Sequence, residues 1–162
     1  MERFDVLDKN RNKLGYEKER GSLLEENEYN LGCEIYFINE KGILLNQRSK
    51  NKSHPLQWEV CGGCAQSGQD SMQTIIREVK EELGINITEK EIKKIDTKLY
   101  KKMFVDIYLT NKLINIEEIT IQTEEVSDIK YVTKKEFEEM GENNELVPSV
   151  YSRYLEIKNK LF

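Results

Sequence analysis

Residues 63–85 read GCAQSGQDSMQTIIREVKEELGI, and the fold turns on this stretch. Met72, Ile75, Ile76, Val79 and Leu83 recur at helical spacing, which makes one apolar stripe able to face a core. Gly84 follows Leu83 directly, where a helix stops most readily on a residue tolerant of left-handed dihedrals. The pattern predicts a helix from Asp70 to Leu83.

The polar side of that helix is unusual. Glu78 lies three residues before Glu81 and four before Glu82, so three carboxylates become neighbours on adjoining turns. Like charges at this spacing repel by roughly a few tenths of a kcal/mol each. Glu81 and Glu82 also fall in the last turn, where the helix dipole favours cations. The cluster is either a solvated acidic face, with Arg77 offsetting Glu81, or a site for a divalent cation. A hard ion such as Mg²⁺ takes carboxylates, substrate phosphates and water as ligands, and it accounts for a clustering that helix physics disfavours. Just upstream, Gly62-Gly63 is expected to end a strand in a Gly-rich turn, where the backbone can approach a ligand or metal closely.

Outward from the helix, strand and turn signals dominate. FDVLDKNRNKLGYEKER predicts a β-hairpin around KNRN, and LGCEIYFINEKGILLNQRS a second one around Asn39-Glu40-Lys41-Gly42. Asn51 to Leu56 is a loop, and Trp58-Glu59-Val60 a short strand. Further strands are expected at Ile95 to Leu99, Met103 to Leu109 and Ile129 to Val132, with helices at Lys134 to Met140 and Ser149 to Leu161. Strands and helices mix without strict alternation, which predicts an α+β sandwich around a mixed sheet in one domain spanning 1–162. Lys+Arg 25 against Asp+Glu 30 leaves a net charge of -5, which argues against a general nucleic-acid binder. No stretch has the length and apolarity of a membrane span, and MERFDVLDKN lacks the apolar core of a signal peptide. Cys33, Cys61 and Cys64 are too few for a secreted disulfide framework, so a reduced, cytoplasmic protein is expected.

The constellation resembles the Nudix box, G-x5-E-x7-R-E-U-x-E-E-x-G-U, where U is an apolar aliphatic residue. Here it runs Gly63, then Gln69 at the first Glu position, Arg77-Glu78-Val79, Glu81-Glu82, Gly84 and Ile85. The resemblance implies the family's α/β/α sandwich and a hydrolase of diphosphate bonds in a small-molecule substrate. It implies Arg77 as the residue that orients the neighbouring glutamate. Glu78, Glu81 and Glu82 are implied as ligands for Mg²⁺ (or Mn²⁺), with Glu78 the general base. The resemblance implies the Gly62 carbonyl as a further metal contact. It also implies a carboxylate from a later loop, for which Glu124 or Glu125 is the candidate, the other reading of both being solvated turn residues. Gln69 departs from the pattern: an amide cannot act as a base, and it ligates hard cations weakly. If the position serves Arg77, Gln69 still accepts a hydrogen bond. If the position is a ligand, the chain is a weakened Nudix-fold module that turns over slowly or only binds its ligand.

The leading hairpin over residues 1–28, the ILLNQRSKNKSHPLQWEVCGG segment and the later EEVSDIKYV resemble the isopentenyl-diphosphate isomerase-like Nudix subgroup. Isomerisation itself needs several histidine ligands, and this chain has one, His54. For substrate contact, Arg48 is a phosphate candidate, Gly63 lets the backbone approach, and Cys64 lies near the expected metal. Trp58 either stacks on a base or packs in the core. The CxxC of Cys61 and Cys64 lacks a second pair of ligands for structural zinc, so both are expected to fill space. An exposed sheet edge or the N-terminal hairpin offers a place for a homodimer contact.

Overall fold

The computed structural model describes all 162 residues. Its first element pair is the expected hairpin of β1 (Arg3–Leu7) and β2 (Lys13–Glu19). The turn between them is fastened by the Asp8 carboxylate, which accepts from the backbone N–H of Asn10 and Asn12 at 2.8 and 2.9 Å. Such side-chain closure is what Asp offers a turn.

β3 (Asn30–Asn39) and β4 (Gly42–Arg48) pair only near their shared turn, Ile38 with Ile43 and Asn39 with Gly42. Beyond that point each strand builds its own neighbourhood. β4 takes β5 (Trp58–Glu59) on one side and β9 (Val126–Val132) on the other. β3 takes β6 (Cys61–Cys64) antiparallel and β8 (Met103–Thr110) parallel, and β8 carries β7 (Lys93–Tyr100). The sheet is therefore mixed, as expected. β3 lies at its centre and is buried on both faces, which explains its unbroken apolar run from Ile35 to Ile38.

Successive β3 side chains point to opposite faces. Cys33, Ile35 and Phe37 face α1 (Ser71–Leu83), where they meet Ile75, Val79 and Leu83. Tyr36 faces the other side, where Phe137 of α2 (Lys134–Glu142) and Tyr154 of α3 (Pro148–Leu161) close a second core. One helix on one face and two on the other make the α/β/α sandwich. No helix is long and apolar enough to cross a membrane.

Gly62-Gly63 departs from expectation: it is not a turn but lies inside β6, paired with Glu34 and Cys33 of β3. Neither glycine has a positive φ. They are needed for close approach instead. A Cβ at Gly62 would overlap the Cys33 carbonyl oxygen, and one at Gly63 would overlap the Glu78 carboxyl. The turn falls later, at Gly68, with φ 83°.

Candidate functional site

α1 is fixed at both ends by its own sequence. Asp70 caps the start, accepting from the Gln73 N–H at 2.7 Å while Gln73 reaches back to the Asp70 N–H at 3.0 Å. Gly84 ends it at φ 68°. Ile75, Val79 and Leu83 hold the helix against the sheet, so the carboxylates between them have set positions.

Arg77 is the hub of those carboxylates. Its Nη1 donates to Glu78 Oε1 and to Glu81 Oε2, both at 3.0 Å, and its Nη2 donates to the Cys64 carbonyl at 3.0 Å. Its Nε donates to Gln69 Oε1 at 3.2 Å. The amide at the first box position thus performs the accepting role a carboxylate would have there. The expected trio divides three ways. Glu81 is half exposed, Glu78 is mostly covered, and Glu82 is buried at 5% exposure on the inward face of the helix. Glu82 receives only the Cys61 thiol, at 3.3 Å, and has no ion-pair partner. Burial, reinforced by Glu78 and Glu59, holds its carboxyl well above the usual carboxylate range. Burial also raises Glu78, opposed by Arg77 and assisted by Glu81.

These groups line a cleft of about 450 Å³ that also takes in Gly62, Gly63, Cys64, Arg48 and Glu125. Its other acids are individually neutralised. Glu2 pairs with Arg20, Glu34 with Arg153, Glu59 with Arg48 and Glu125 with Lys52. Glu78, Glu81 and Glu82 have one cation among them, Arg77. An unpaired buried carboxylate is expensive, and proteins retain one chiefly where an ion or a reaction uses it. Hard oxygen donors in surplus over cations fit a divalent ion. No three His, Cys, Asp or Glu side chains are gathered into a ready-made cage. Glu81 is drawn outward by Arg77, and Glu125 is occupied by Lys52.

The remaining candidates fall out differently. Arg48 lines the cleft, but its guanidinium is committed to Glu59 at 3.0 and 3.1 Å and to Ser53. Trp58 is not in the cleft. Glu59, next to it on β5, faces the cleft, so alternation turns the indole the other way, against the α2/α3 core and under the Lys130 ammonium at 4.2 Å. Of the later-loop pair, Glu125 reaches the cleft, whereas the Glu124 carbonyl accepts from the Ser49 hydroxyl. His54 is exposed at the rim with φ 50°. Cys61 is buried in the α1 core, and Cys64 is half-buried beside Met103.

Among the cleft residues that carried no signal in the sequence are Glu34, Glu59, Tyr100 and Arg153. They come from β3, β5, β7 and α3, and only the packing of those elements brings them together. The Arg153 Nη1 is buried without any hydrogen-bond partner, an arrangement that costs about 1–3 kcal/mol. A second cavity, about 480 Å³, lies at the start of α1 around Asp106. Asp106 is fully satisfied there: Arg11 grips it with both terminal nitrogens, and Ser71 and Thr97 donate their hydroxyls.

The NUDIX domain family matches residues 29–151. A Nudix hydrolase of Listeria innocua is 34% identical over 163 residues, covering 98% of this chain and 96% of its own. Among solved structures, a Deinococcus radiodurans protein superposes with a TM-score of 0.71 at 20% identity, covering 84% of this chain and 86% of that one. A Francisella tularensis bifunctional NMN adenylyltransferase/ADP ribose pyrophosphatase, complexed with AMP and a manganese ion, gives 0.63 at 19% identity over 82% of this chain and 42% of that one. The box residues held on α1, the α/β/α layering around β3 and a relative matched along nearly its whole length agree: the chain belongs to the Nudix hydrolase family, whose members cleave diphosphate bonds.

Proposed function

We propose that the chain hydrolyses the diphosphate bond of a nucleoside-diphosphate-linked substrate in a Mg²⁺-dependent reaction, with Mn²⁺ able to replace Mg²⁺. The observation that carries this is the charge surplus: every other acid in the cleft has a cation of its own, while Glu78 and Glu81 share Arg77 and Glu82 has none. Glu78 and Glu82 would hold the ion, joined by the Gly62 carbonyl and, once released from Lys52, by Glu125. Mg²⁺ commonly uses one or two carboxylates and keeps several waters, so a closed cage is not required. When bound, the ion supplies charge neutralisation on the diphosphate and acidifies the attacking water.

The chain's own groups do the rest. Arg77 fixes the Glu78 carboxylate through Nη1, and Gln69 and the Cys64 carbonyl fix Arg77. Glu78, which burial raises above the ordinary carboxylate range, would take the proton from the attacking water. Gly63 leaves room for that carboxylate and lets the strand approach the substrate. Lys52, freed from Glu125, can meet a phosphate oxygen. That Gln69 keeps the Arg77 geometry supports turnover over the weakened-module reading.

Within the family we place the chain in the isopentenyl-diphosphate isomerase-like subgroup, on its N-terminal hairpin and on Gln47-Arg48-Ser49 at the end of β4. Isomerisation is not proposed, since one histidine at the rim cannot assemble a histidine-rich metal site. Three free thiols support a reducing, cytoplasmic setting. The exposed β2 edge is the place for a homodimer contact, and the net charge of -5 speaks against nucleic acid as a partner. The test is a panel of nucleotide sugars, dinucleoside polyphosphates, oxidised nucleotides and prenyl diphosphates, assayed with Mg²⁺, with Mn²⁺ and with neither. Metal-dependent release of phosphate or nucleoside monophosphate from a nucleotide is expected. Absence of turnover with both metals sinks the proposal.

A further inference from the structure

Glu34 of β3 and Arg153 of α3 meet side-on at the cleft wall, Nε to Oε1 at 3.0 Å and Nη2 to Oε2 at 2.8 Å. Their side chains are only 4% and 12% exposed. The pair is electrically neutral and geometrically complete, apart from the third guanidinium nitrogen. Nη1 carries two N–H groups and has no acceptor. What the wall lacks is therefore an acceptor and not a counter-charge. Met103, Val105 and Val150 form its apolar part, and the Tyr100 ring lies 5.5 Å from the guanidinium. Tyr100 is 38% exposed at the rim, with the guanidinium against its ring.

An apolar, aromatic wall with one stranded donor matches a flat ring that bears a neutral acceptor. A hydrocarbon chain would leave Nη1 stranded, and sites with buried polar groups reject ligands that leave those groups unpaired. A second phosphate would set a negative charge beside the Glu34 carboxylate.

We propose that a turn of the Tyr100 ring opens Nη1 to the cleft, and that Arg153, oriented by Glu34, is the specificity-determining residue there, donating from Nη1 to an acceptor on a nucleobase that stacks on Tyr100. The inference rests on the proposed diphosphate hydrolysis and narrows its substrate to nucleotides, away from prenyl diphosphates. Arg153→Lys keeps the charge that Glu34 needs and removes the spare donor of the fork. The measurement is calorimetric binding of GMP, AMP and isopentenyl monophosphate, with and without Mg²⁺. None of the three contains the scissile bond, so the result stands apart from turnover.

In the natural protein both nucleotides should bind about tenfold or more tightly than isopentenyl monophosphate. Arg153→Lys should lose about tenfold for the nucleotides and nothing for isopentenyl monophosphate. If that variant fails to fold by circular dichroism, the neutral double variant Glu34→Gln/Arg153→Met should show the same selective loss. Isopentenyl monophosphate bound as tightly as GMP, unchanged nucleotide affinity in the variant, an equal loss for all three ligands, or no nucleotide binding by the natural protein would each overturn the proposal.

Discussion

Two buried carboxylates stand at opposite ends of α1, and the protein treats them in opposite ways. Asp106, at the N-terminal end, is 0% exposed and receives Arg11, Ser71 and Thr97. Burial alone would raise its carboxyl, but those hydrogen bonds bring it below its ordinary value of 3.8. Glu82, at the C-terminal end, is 5% exposed and receives a thiol. Its carboxyl is pushed up by burial and by its acidic neighbours. Equal burial with opposite satisfaction separates a structural carboxylate from one that the proposed ion would use. Asp106 ties the tip of the β1–β2 hairpin and the first turn of α1 to β8, whereas the Glu82 carboxylate has only the Cys61 thiol of β6.

The largest effect should come from breaking the Glu82 side. Glu82→Gln should reduce metal-dependent turnover by about 10²–10⁴-fold, the range associated with loss of a catalytic or metal-bound group. Its melting temperature without metal should hold or rise, because a buried charge has gone. Full activity in this variant would remove Glu82 from the site. Next comes Asp106→Asn, expected to destabilise the fold by about 3 kcal/mol through the stranded Arg11 charge and lost acceptors. Chemical denaturation measures it, and turnover per folded molecule should stay near that of the natural protein. A stable but inactive Asp106→Asn would mean that the two carboxylates had been assigned the wrong way round.

The smallest effect is the tilt of stability with pH. A carboxyl raised in the folded state contributes stability that is present below its unfolded value, near 4.5, and is lost as pH rises through the folded value. A carboxyl lowered in the folded state contributes stability present above its unfolded value, near 3.8, and lost as pH falls through the folded value. Without metal, melting temperature should therefore fall from pH 5 upward in the natural protein and less so in Glu82→Gln. Mg²⁺ should offset the fall, most at high pH where its ligands are ionised. The acid-side loss should shrink in Asp106→Asn. Parallel pH profiles for all three proteins would refute the contrast.

Much of this was written in local pattern. The α1 stripe of Ile75, Val79 and Leu83, its glycine stop and the spacing of Glu78, Glu81 and Glu82 depend on contacts within a few residues, and the chain realises them as expected. The hairpins around Asn10–Asn12 and Asn39–Gly42 depend on turn chemistry of the same short range. Strand alternation, by contrast, left open which face of β5 meets the core, and the sheet turned Trp58 away from the cleft and Glu59 into it. Gly62 and Gly63 were legible as glycines but not as strand residues. What demands them is a carbonyl of β3 and a carboxyl of α1, both distant in sequence.

By itself, then, the sequence determined the helix that carries the carboxylates, the residues that cap it and the family to which the chain belongs, because periodicity and fixed spacing are properties of neighbouring residues. Only the tertiary structure decided which carboxylate is buried without a cation, which acids are neutralised, and that Glu34 and Arg153 share one wall with Tyr100. Burial and ion pairing are set by groups scores of residues apart, and no local pattern records which of them meet.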